Sequence, residues 1–194
     1  MTKNLYSKFI KSAMLLVSFM LGTNISAQEV AWEQIYKLPA TNAFHISKNG
    51  TERRFTFQDM KKESARAANY FKSLGIKKGD RVMLVLKRHY QYWFSVLALH
   101  KLGAVAIPAT NQLLEKDFTY RFQAGKVKAI LCTADGDVAD AVDAAAEKCP
   151  GLQHKILVNG SREGWHDFNE EYTLFSSRFE RTEETACGSD PMLM

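Results

Sequence analysis

A chain of 194 residues with 46% hydrophobic and 24% charged residues has the length and balance of one globular domain with at most a short appendage, which excludes a disordered, collagen-like or disulfide-scaffold protein. The formal net charge is +5, but Lys3, Lys8 and Lys11 lie in residues 1–27, which hold no acidic residue. The remainder carries 23 basic residues (26 minus 3) against 21 acidic ones, too small an excess for a nucleic-acid-binding surface, and we predict no nucleic-acid partner.

The N-terminus has the form of a secretory signal. The three lysines precede a mostly apolar run, Ala13–Leu21, and Ala27 is a small residue at a candidate cleavage point. The run is shorter than the roughly 20 apolar residues that span a bilayer, so we predict no stable membrane span. An amphipathic helix or a mis-assigned gene start would leave the same pattern. We predict a signal-like hydrophobic leader over residues 1–27, which suggests export.

The cysteines favour a different compartment. Cys132, Cys149 and Cys187 are odd in number and have no C-x-x-C spacing, so they cannot all pair within the chain. Free thiols are typical of a reducing, cytosolic environment. The leader and the body of the chain therefore disagree about location.

The first predicted elements of the body are a strand and a helix. Arg54–Phe57 has the composition of a short strand, and apolar residues recur on one helical face over Phe57–Leu74. Thr56, three residues before Asp59, suits the start of this helix. Gly75 suits its end, because glycine tolerates the left-handed backbone found there.

Strands and helices then alternate along the chain. The predicted strands are Arg81–Leu86, Ala104–Ile107, Ala129–Cys132 and Lys155–Val158. The predicted helices are Gln91–Leu102, Glu115–Ala124, Asp137–Lys148 and a weaker one over Asp167–Phe179, with a loop at Thr182–Gly188. Continuously apolar strands separated by helices are typical of parallel sheets buried on both faces. We predict an α/β fold with a mostly parallel sheet and flanking helices.

Polar residues follow three of these strands, at the edge where open α/β sheets bind ligands. Lys87–His89 could meet a phosphate, although a solvated turn is the simpler interpretation. Gln112 could bond an amide group of a ligand, or equally the backbone of its own loop. Asp135 and Asp137 could bind a cation, but a turn followed by a helix N-cap explains them better.

Motifs of known chemistry are missing. The chain contains no G-x-G-x-x-G, G-x-x-x-x-G-K-[ST], H-E-x-x-H or G-x-S-x-G pattern. Its five histidines have no metal-ligand spacing, and we predict no metal site. Trp93 and Phe94 lie in a predicted helix, so we expect them in the core rather than stacked on a base. The residues alone name no reaction.

The sequences of several stretches, together with their order and spacing, resemble the N-terminal part of an AMP-forming (AMP-dependent) acyl-CoA synthetase of the adenylate-forming superfamily. The main stretches are Arg54–Met60, Gly79–Val82 and Leu99–Pro108. Supporting stretches are Lys87–Tyr90, Tyr92–Phe94, Tyr120–Arg121, Lys126–Ile130 and Gly164–Phe168. The likeness covers roughly Ala31 to Met194 and is greatest to acetyl- and medium-chain acyl-CoA synthetases.

The resemblance implies a cytoplasmic enzyme that uses ATP, Mg²⁺ and coenzyme A. Such enzymes convert a small-molecule carboxylic acid to acyl-CoA, AMP and pyrophosphate through an acyl-adenylate. The resemblance also implies a domain organisation: the leader 1–27, an N-terminal extension 28–50, and a partial synthetase domain 51–194. In the family, a segment like Asp190–Met194 is followed by a phosphate-binding loop, so we expect a truncation before that loop and no activity of this chain alone. No catalytic residue is assigned to it.

Gln112 is the one site residue that the resemblance supplies, since it matches a glutamine that contacts coenzyme A in medium-chain acyl-CoA synthetases.

Two other functions stay open: an exported non-catalytic α/β binding module, and one subunit of a split synthetase. A first subdomain without its usual neighbour would expose an apolar face, so we also expect poor solubility or self-association.

Overall fold

The computed structural model describes residues 42–48, 51–183, 185–186 and 189–194. The signal-like leader 1–27 and Cys187 lie outside these residues. Among the described helices, none has the length and apolar character needed to cross a membrane.

Strands and helices alternate through most of the described chain. The strands are β1 (Asn42–Lys48), β2 (Thr51–Thr56), β3 (Arg81–Val85), β4 (Val105–Pro108), β5 (Val127–Thr133), β6 (His154–Val158) and β7 (His166–Asp167). The helices are α1 (Phe57–Ser73), α2 (Gln91–Leu102), α3 (Glu115–Ala124), α4 (Val138–Ala146) and α5 (Phe168–Glu171), the last followed by a 3₁₀ turn over Tyr172–Leu174.

The central feature is a five-stranded sheet of order β4-β3-β5-β6-β7, in which every neighbouring pair is parallel. β1 and β2 form a separate antiparallel pair. The predicted α/β fold with a mostly parallel sheet and flanking helices is confirmed. β1 lies within the segment 28–50 that was predicted as an N-terminal extension.

Helices cover both faces of the sheet. One buried cluster joins alternate strand residues such as Leu84 and Leu131 to α1, α2 and α5, while Met83 and Ile130 belong to a second cluster with α3 and α4. The alternation follows from the pleat, which turns successive side chains to opposite faces. The strands are therefore apolar on both sides, as the sequence predicted.

Helix α1 begins and ends as the sequence predicted. The Thr56 hydroxyl oxygen accepts a hydrogen bond from the Asp59 backbone N–H at 3.1 Å, and Asp59 accepts one from the Thr56 backbone N–H at 2.9 Å. These reciprocal bonds form a capping box, typically worth about 1 kcal/mol. Gly75 has φ +76°, the left-handed conformation that ends the helix.

The predicted helix over Asp167–Phe179 is too long. α5 and the following 3₁₀ turn end at Leu174, and Phe175 is extended. The Asn69 side-chain amide donates to the carbonyl oxygens of Ser176 (2.8 Å) and Arg178 (2.9 Å), bonds that an extended chain along α1 can reach. Phe175 and Phe179 also pack against the core, so tertiary contacts override the local helical pattern.

The C-terminal residues lie along the outer edge of β4. Leu193 pairs with Ala106 in parallel, through hydrogen bonds of 3.1 Å from Ala106 N–H to the Met192 carbonyl and from Met194 N–H to the Ala106 carbonyl. An ion pair of 2.7 Å between Lys78 and Asp190 holds the same segment against the turn before β3.

Candidate functional site

The carboxyl edge of the sheet contains a point where the chain reverses its direction of winding. β3 is followed by α2, which packs on one face, whereas its neighbours β4 and β5 are followed by α3 and α4 on the other face. The loops after adjacent strands therefore diverge around β3. In open α/β sheets this topological switch point is where ligands bind.

A buried histidine lies at this point. His89, just past the end of β3, is 4% exposed. Its Nε2 is 2.8 Å from the Thr133 hydroxyl oxygen at the end of β5, and its Nδ1 is 2.8 Å from Asn159 Nδ2, just past β6. Because Asn159 Nδ2 donates to Nδ1, the neutral ring carries its proton on Nε2 and donates it to Thr133. One imidazole thus connects the ends of three strands.

Further amides extend this network towards β7. The Asn159 side-chain oxygen accepts from Gln91 Nε2 at 2.8 Å and from Asn169 Nδ2 at 3.2 Å, and Asn169 accepts from the Asn159 backbone N–H at 3.0 Å. Gln91 is fully buried, and its other amide atom, Oε1, has no hydrogen-bond partner among the described residues. We call His89, Thr133, Asn159, Gln91 and Asn169 the switch-point network.

Two residues beside the network have left-handed backbone. Asn159 has φ +60°, which asparagine tolerates well, and Lys87 has φ +40°, which is unusual for lysine. The turn at Lys87 is closed by a 2.9 Å hydrogen bond from His89 N–H to the Leu86 carbonyl. A strained residue persists only where its surroundings over-determine it, and the His89 contacts supply that constraint.

The structure of the Lys87–His89 segment agrees only in part with the solvated turn that the sequence favoured. Lys87 and Arg88 are exposed, as expected for a solvated turn, but His89 is buried and fully hydrogen-bonded. Of the two neighbouring aromatic residues, one is likewise buried and one is exposed. Phe94 lies in the core as predicted, whereas Trp93 is 44% exposed, so its predicted core position is wrong.

Gln112 lies in the exposed turn between β4 and α3. Its backbone N–H donates to the Thr110 hydroxyl at 3.3 Å, and its side chain is exposed. β4 adjoins β3, and Ala109 N–H bonds to the Leu84 carbonyl at 2.9 Å, so this loop leaves the sheet at the same edge as the Lys87 turn. The contact of Gln112 with coenzyme A remains a prediction.

The two aspartates after β5 lie in a turn and at a helix start, as the sequence favoured. Gly136, between them, has φ +70°, and Asp137 occupies the N-cap of α4 without a side-chain capping bond. Asp135 has one carboxylate oxygen 3.4 Å from His89 Nε2. In the described part of the chain, no three histidine, cysteine or acidic side chains are placed to hold a metal ion.

The cysteines and a surface cavity lie outside this site. Cys132 and Cys149 are free and buried, and burial raises the pKa of the Cys132 thiol to about 12, so it is not a nucleophile at neutral pH. A cavity of about 310 Å³ next to Lys126 and Lys148 opens at the amino edge of the sheet, opposite the switch point.

Sequence reasoning missed the switch-point network. The available signal was polar residues directly after apolar strands: Thr133 follows Cys132, and Asn159 follows Val158. That pattern places both residues at one edge, but it does not show that His89 reaches both of them.

The sequence of the chain is similar to a known protein family and to curated members of it. Residues 31–193 match the sequence profile of the family described as AMP-binding enzyme. The chain is 42% identical over 145 residues to mitochondrial acyl-coenzyme A synthetase ACSM5 of Rattus norvegicus, and 38% identical over 156 residues to mitochondrial acyl-coenzyme A synthetase ACSM3 of Homo sapiens. These alignments cover 72% and 78% of this chain but 25% and 26% of the relatives. The chain thus spans about a quarter of the length of the curated relatives it matches.

Two solved structures share the fold. The crystal structure of Brucella canis acyl-CoA synthetase superposes with a TM-score of 0.69 at 23% identity, covering 83% of this chain and 29% of that one. The anthranilate CoA ligase AuaEII, solved in complex with anthranoyl-AMP, superposes with a TM-score of 0.67 at 20% identity, covering 77% and 29%.

Proposed function

The chain belongs to the AMP-binding enzyme family, and we propose that it forms the N-terminal part of an acyl-CoA synthetase. The whole enzyme would convert a carboxylic acid, ATP and coenzyme A to acyl-CoA, AMP and pyrophosphate through an acyl-adenylate. The observation that carries this proposal is the 38–42% identity to acyl-coenzyme A synthetases over most of the chain.

The described residues fit the cofactors of such an enzyme unequally. Gln112 is an exposed amide at the ligand-binding edge and could hold coenzyme A by hydrogen bonds. No described cluster of acidic, histidine or cysteine residues could hold Mg²⁺, and the chain has no glycine-rich phosphate-binding motif. We therefore assign to this chain no step that uses Mg²⁺ or ATP.

We also propose that the chain alone is inactive. Adenylation brings a carboxylate against a phosphate, and two anions must be held together by cations and backbone donors. The purified 194-residue chain is expected to give no ATP–pyrophosphate exchange above the protein-free blank. In a chimera, the part of this chain that aligns with the Rattus norvegicus relative would replace the aligned 145-residue segment of that enzyme, and the chimera is expected to form acyl-CoA.

Two results would contradict these expectations. Exchange by the isolated chain would refute its inactivity. A chimera that folds cooperatively but forms no acyl-CoA, beside an active parent enzyme, would refute the synthetase assignment.

In the same chimera, Gln112→Ala is expected to raise the KM for coenzyme A about 2- to 10-fold and to leave kcat unchanged. The reason is the loss of one ligand hydrogen bond, which contributes roughly 0.5–1.5 kcal/mol. Steady-state kinetics with varied coenzyme A measures the effect. Gln123→Ala is the matched control, because Gln123 is an exposed glutamine at the opposite edge of the sheet. Equal KM values for both variants would remove Gln112 from the site.

We propose that the chain associates with a second copy through an apolar surface beside β4. Trp93 and Leu97, one turn apart on α2, are 44% and 37% exposed, and Met192, Leu193 and Met194 at the edge of β4 are each at least half exposed. Sedimentation velocity over a concentration series is expected to show dimers or larger species. Trp93→Ser with Leu97→Ser should weaken the association.

The matched control replaces two exposed apolar residues elsewhere, Tyr120 and Leu174, by serine. A wild-type chain that stays monomeric at every concentration would refute the surface. Association weakened equally by both double variants would refute its location.

The proposed location is intracellular. The names of the relatives place them in mitochondria, and two buried free cysteines suit a reducing compartment. The export signal predicted over residues 1–27 lies outside the described residues and stays a prediction.

A further inference from the structure

We propose that Lys87 and Arg88 bind a phosphate group of a phosphorylated ligand at the switch point. The inference rests on the proposed function for the identity of that ligand, which would be coenzyme A or ATP. Neither the resemblance nor the comparisons assign a role to these two residues. Their position, their fixed backbone and their charge carry the argument.

The position of the two cations is set by the strand register. Leu84 of β3 pairs with Pro108 of β4 on one side and with Leu131 of β5 on the other. Three residues later the chain reaches Lys87, between the loop that carries Gln112 and the loop that carries Asp135. Lys87 and Arg88 therefore occupy the middle of the edge at which such sheets bind ligands.

The turn that carries the cations is held in place by the switch-point network. The backbone of Lys87 is in the left-handed region, a strained conformation for lysine that the surrounding contacts must stabilise. His89, two residues on, is fixed on one side by Thr133 and on the other by Asn159. The backbone of the turn is thus ordered before a ligand arrives, which lowers the entropy lost on binding.

The charges of the two residues are available to a ligand. Lys128, Lys148 and Lys155 each pair with a carboxylate. Lys87 and Arg88 are exposed, and neither has an ion-pair partner among the described residues. An arginine beside a lysine suits a phosphate, because the guanidinium offers paired donors and the ammonium adds a point charge.

The carboxylates near the turn determine the side from which an anion approaches. Asp135, next to His89, lies on the β5 side and would repel a phosphate. The β4 side carries Gln112, which is neutral, so the phosphate is expected to lie between the cations and the Gln112 loop. Coenzyme A, whose contact with Gln112 is already proposed, is the favoured source of the phosphate.

The test measures binding of four probes to the purified 194-residue chain by isothermal titration calorimetry: coenzyme A, dephospho-coenzyme A, ATP and pyrophosphate. Coenzyme A is expected to bind, and Lys87→Gln with Arg88→Gln is expected to raise its Kd at least about tenfold. The conservative exchange of Lys87→Arg with Arg88→Lys should retain most of the affinity. Comparison of coenzyme A with dephospho-coenzyme A shows whether the 3′-phosphate is the bound group, and ATP tests the other source.

The matched control is Lys72→Gln with Lys77→Gln, which removes two exposed cations at the opposite edge of the sheet. This control is expected to bind like the wild type, and thermal unfolding checks that every variant is folded. Equal loss of affinity in both double variants would show general electrostatic attraction and overturn the proposal, as would a wild-type chain that binds none of the probes.

The outcomes separate this inference from the proposed function. If coenzyme A binds the wild type and the double glutamine variant equally, the phosphate site is wrong and the proposed function stands. If pyrophosphate binds through Lys87 and Arg88 but coenzyme A does not bind, the phosphate site stands and the contact with coenzyme A in the proposed function fails.

Discussion

Replacement of His89 by alanine is expected to lower the free energy of unfolding by about 3 kcal/mol. The imidazole is buried and bonds to the buried Thr133 hydroxyl and to the side-chain amide of Asn159, which is exposed. Its removal takes one hydrogen bond from the buried hydroxyl, at a cost of roughly 1–3 kcal/mol, whereas water can replace the bond to Asn159. Removal of the ring also leaves a cavity, which adds to the loss, while water that enters it would recover part of the hydrogen bonding.

Urea unfolding followed by circular dichroism measures this change, with the variant's midpoint expected well below that of the wild type. His166→Ala is the matched control. His166 also bonds to another side chain, Glu171 at 3.1 Å, but it is 37% exposed, so its removal is expected to cost less than about 1 kcal/mol. If His89→Ala costs no more than this control, the switch-point network does not hold the sheet edge together.

The main elements of the fold were predictable because their signals are local. In the run Arg81–Leu86, every residue after Arg81 is apolar, a pattern typical of a strand buried on both faces. The helix over Gln91–Leu102 ends at Gly103, whose φ of +71° is the conformation that glycine adopts readily, and its bounds were predicted to the residue. The start of α1 was predictable for the same reason, since its capping partners are three residues apart.

The switch-point network was not predictable because its contacts join distant parts of the chain. His89 is 44 residues from Thr133 and 70 residues from Asn159, and the three meet only through the register of β3, β5 and β6. The exposure of Trp93 has a related cause. Apolar residues occupy nearly every side of α2, so the sequence cannot tell which side faces the sheet.

The second large effect is expected at Phe168, the first residue of α5. Its side chain is fully buried and stacks on Tyr172 with a centroid distance of 4.7 Å and an interplanar angle of 9°. Tyr70 and Phe71 of α1 contact the same ring at 5.7 and 6.0 Å. Phe168 therefore joins the segment after β7 to α1, and Phe168→Ala is expected to lower the free energy of unfolding by about 3–5 kcal/mol.

A loss of this size is a large part of the roughly 5–15 kcal/mol that stabilises a typical domain, so the variant should unfold in much less urea than the wild type. Phe168→Leu keeps most of the buried volume and should cost less, because the cavity is smaller and only the ring contacts are lost. Leu174→Ala removes an apolar side chain that is 84% exposed, six residues further along the chain. This control should change the free energy of unfolding by less than about 0.5 kcal/mol. Removal of a buried ring from the cooperatively unfolding part of the domain must lower its stability. Equal urea midpoints for Phe168→Ala and Leu174→Ala would therefore mean that the segment after β7 does not unfold together with the sheet.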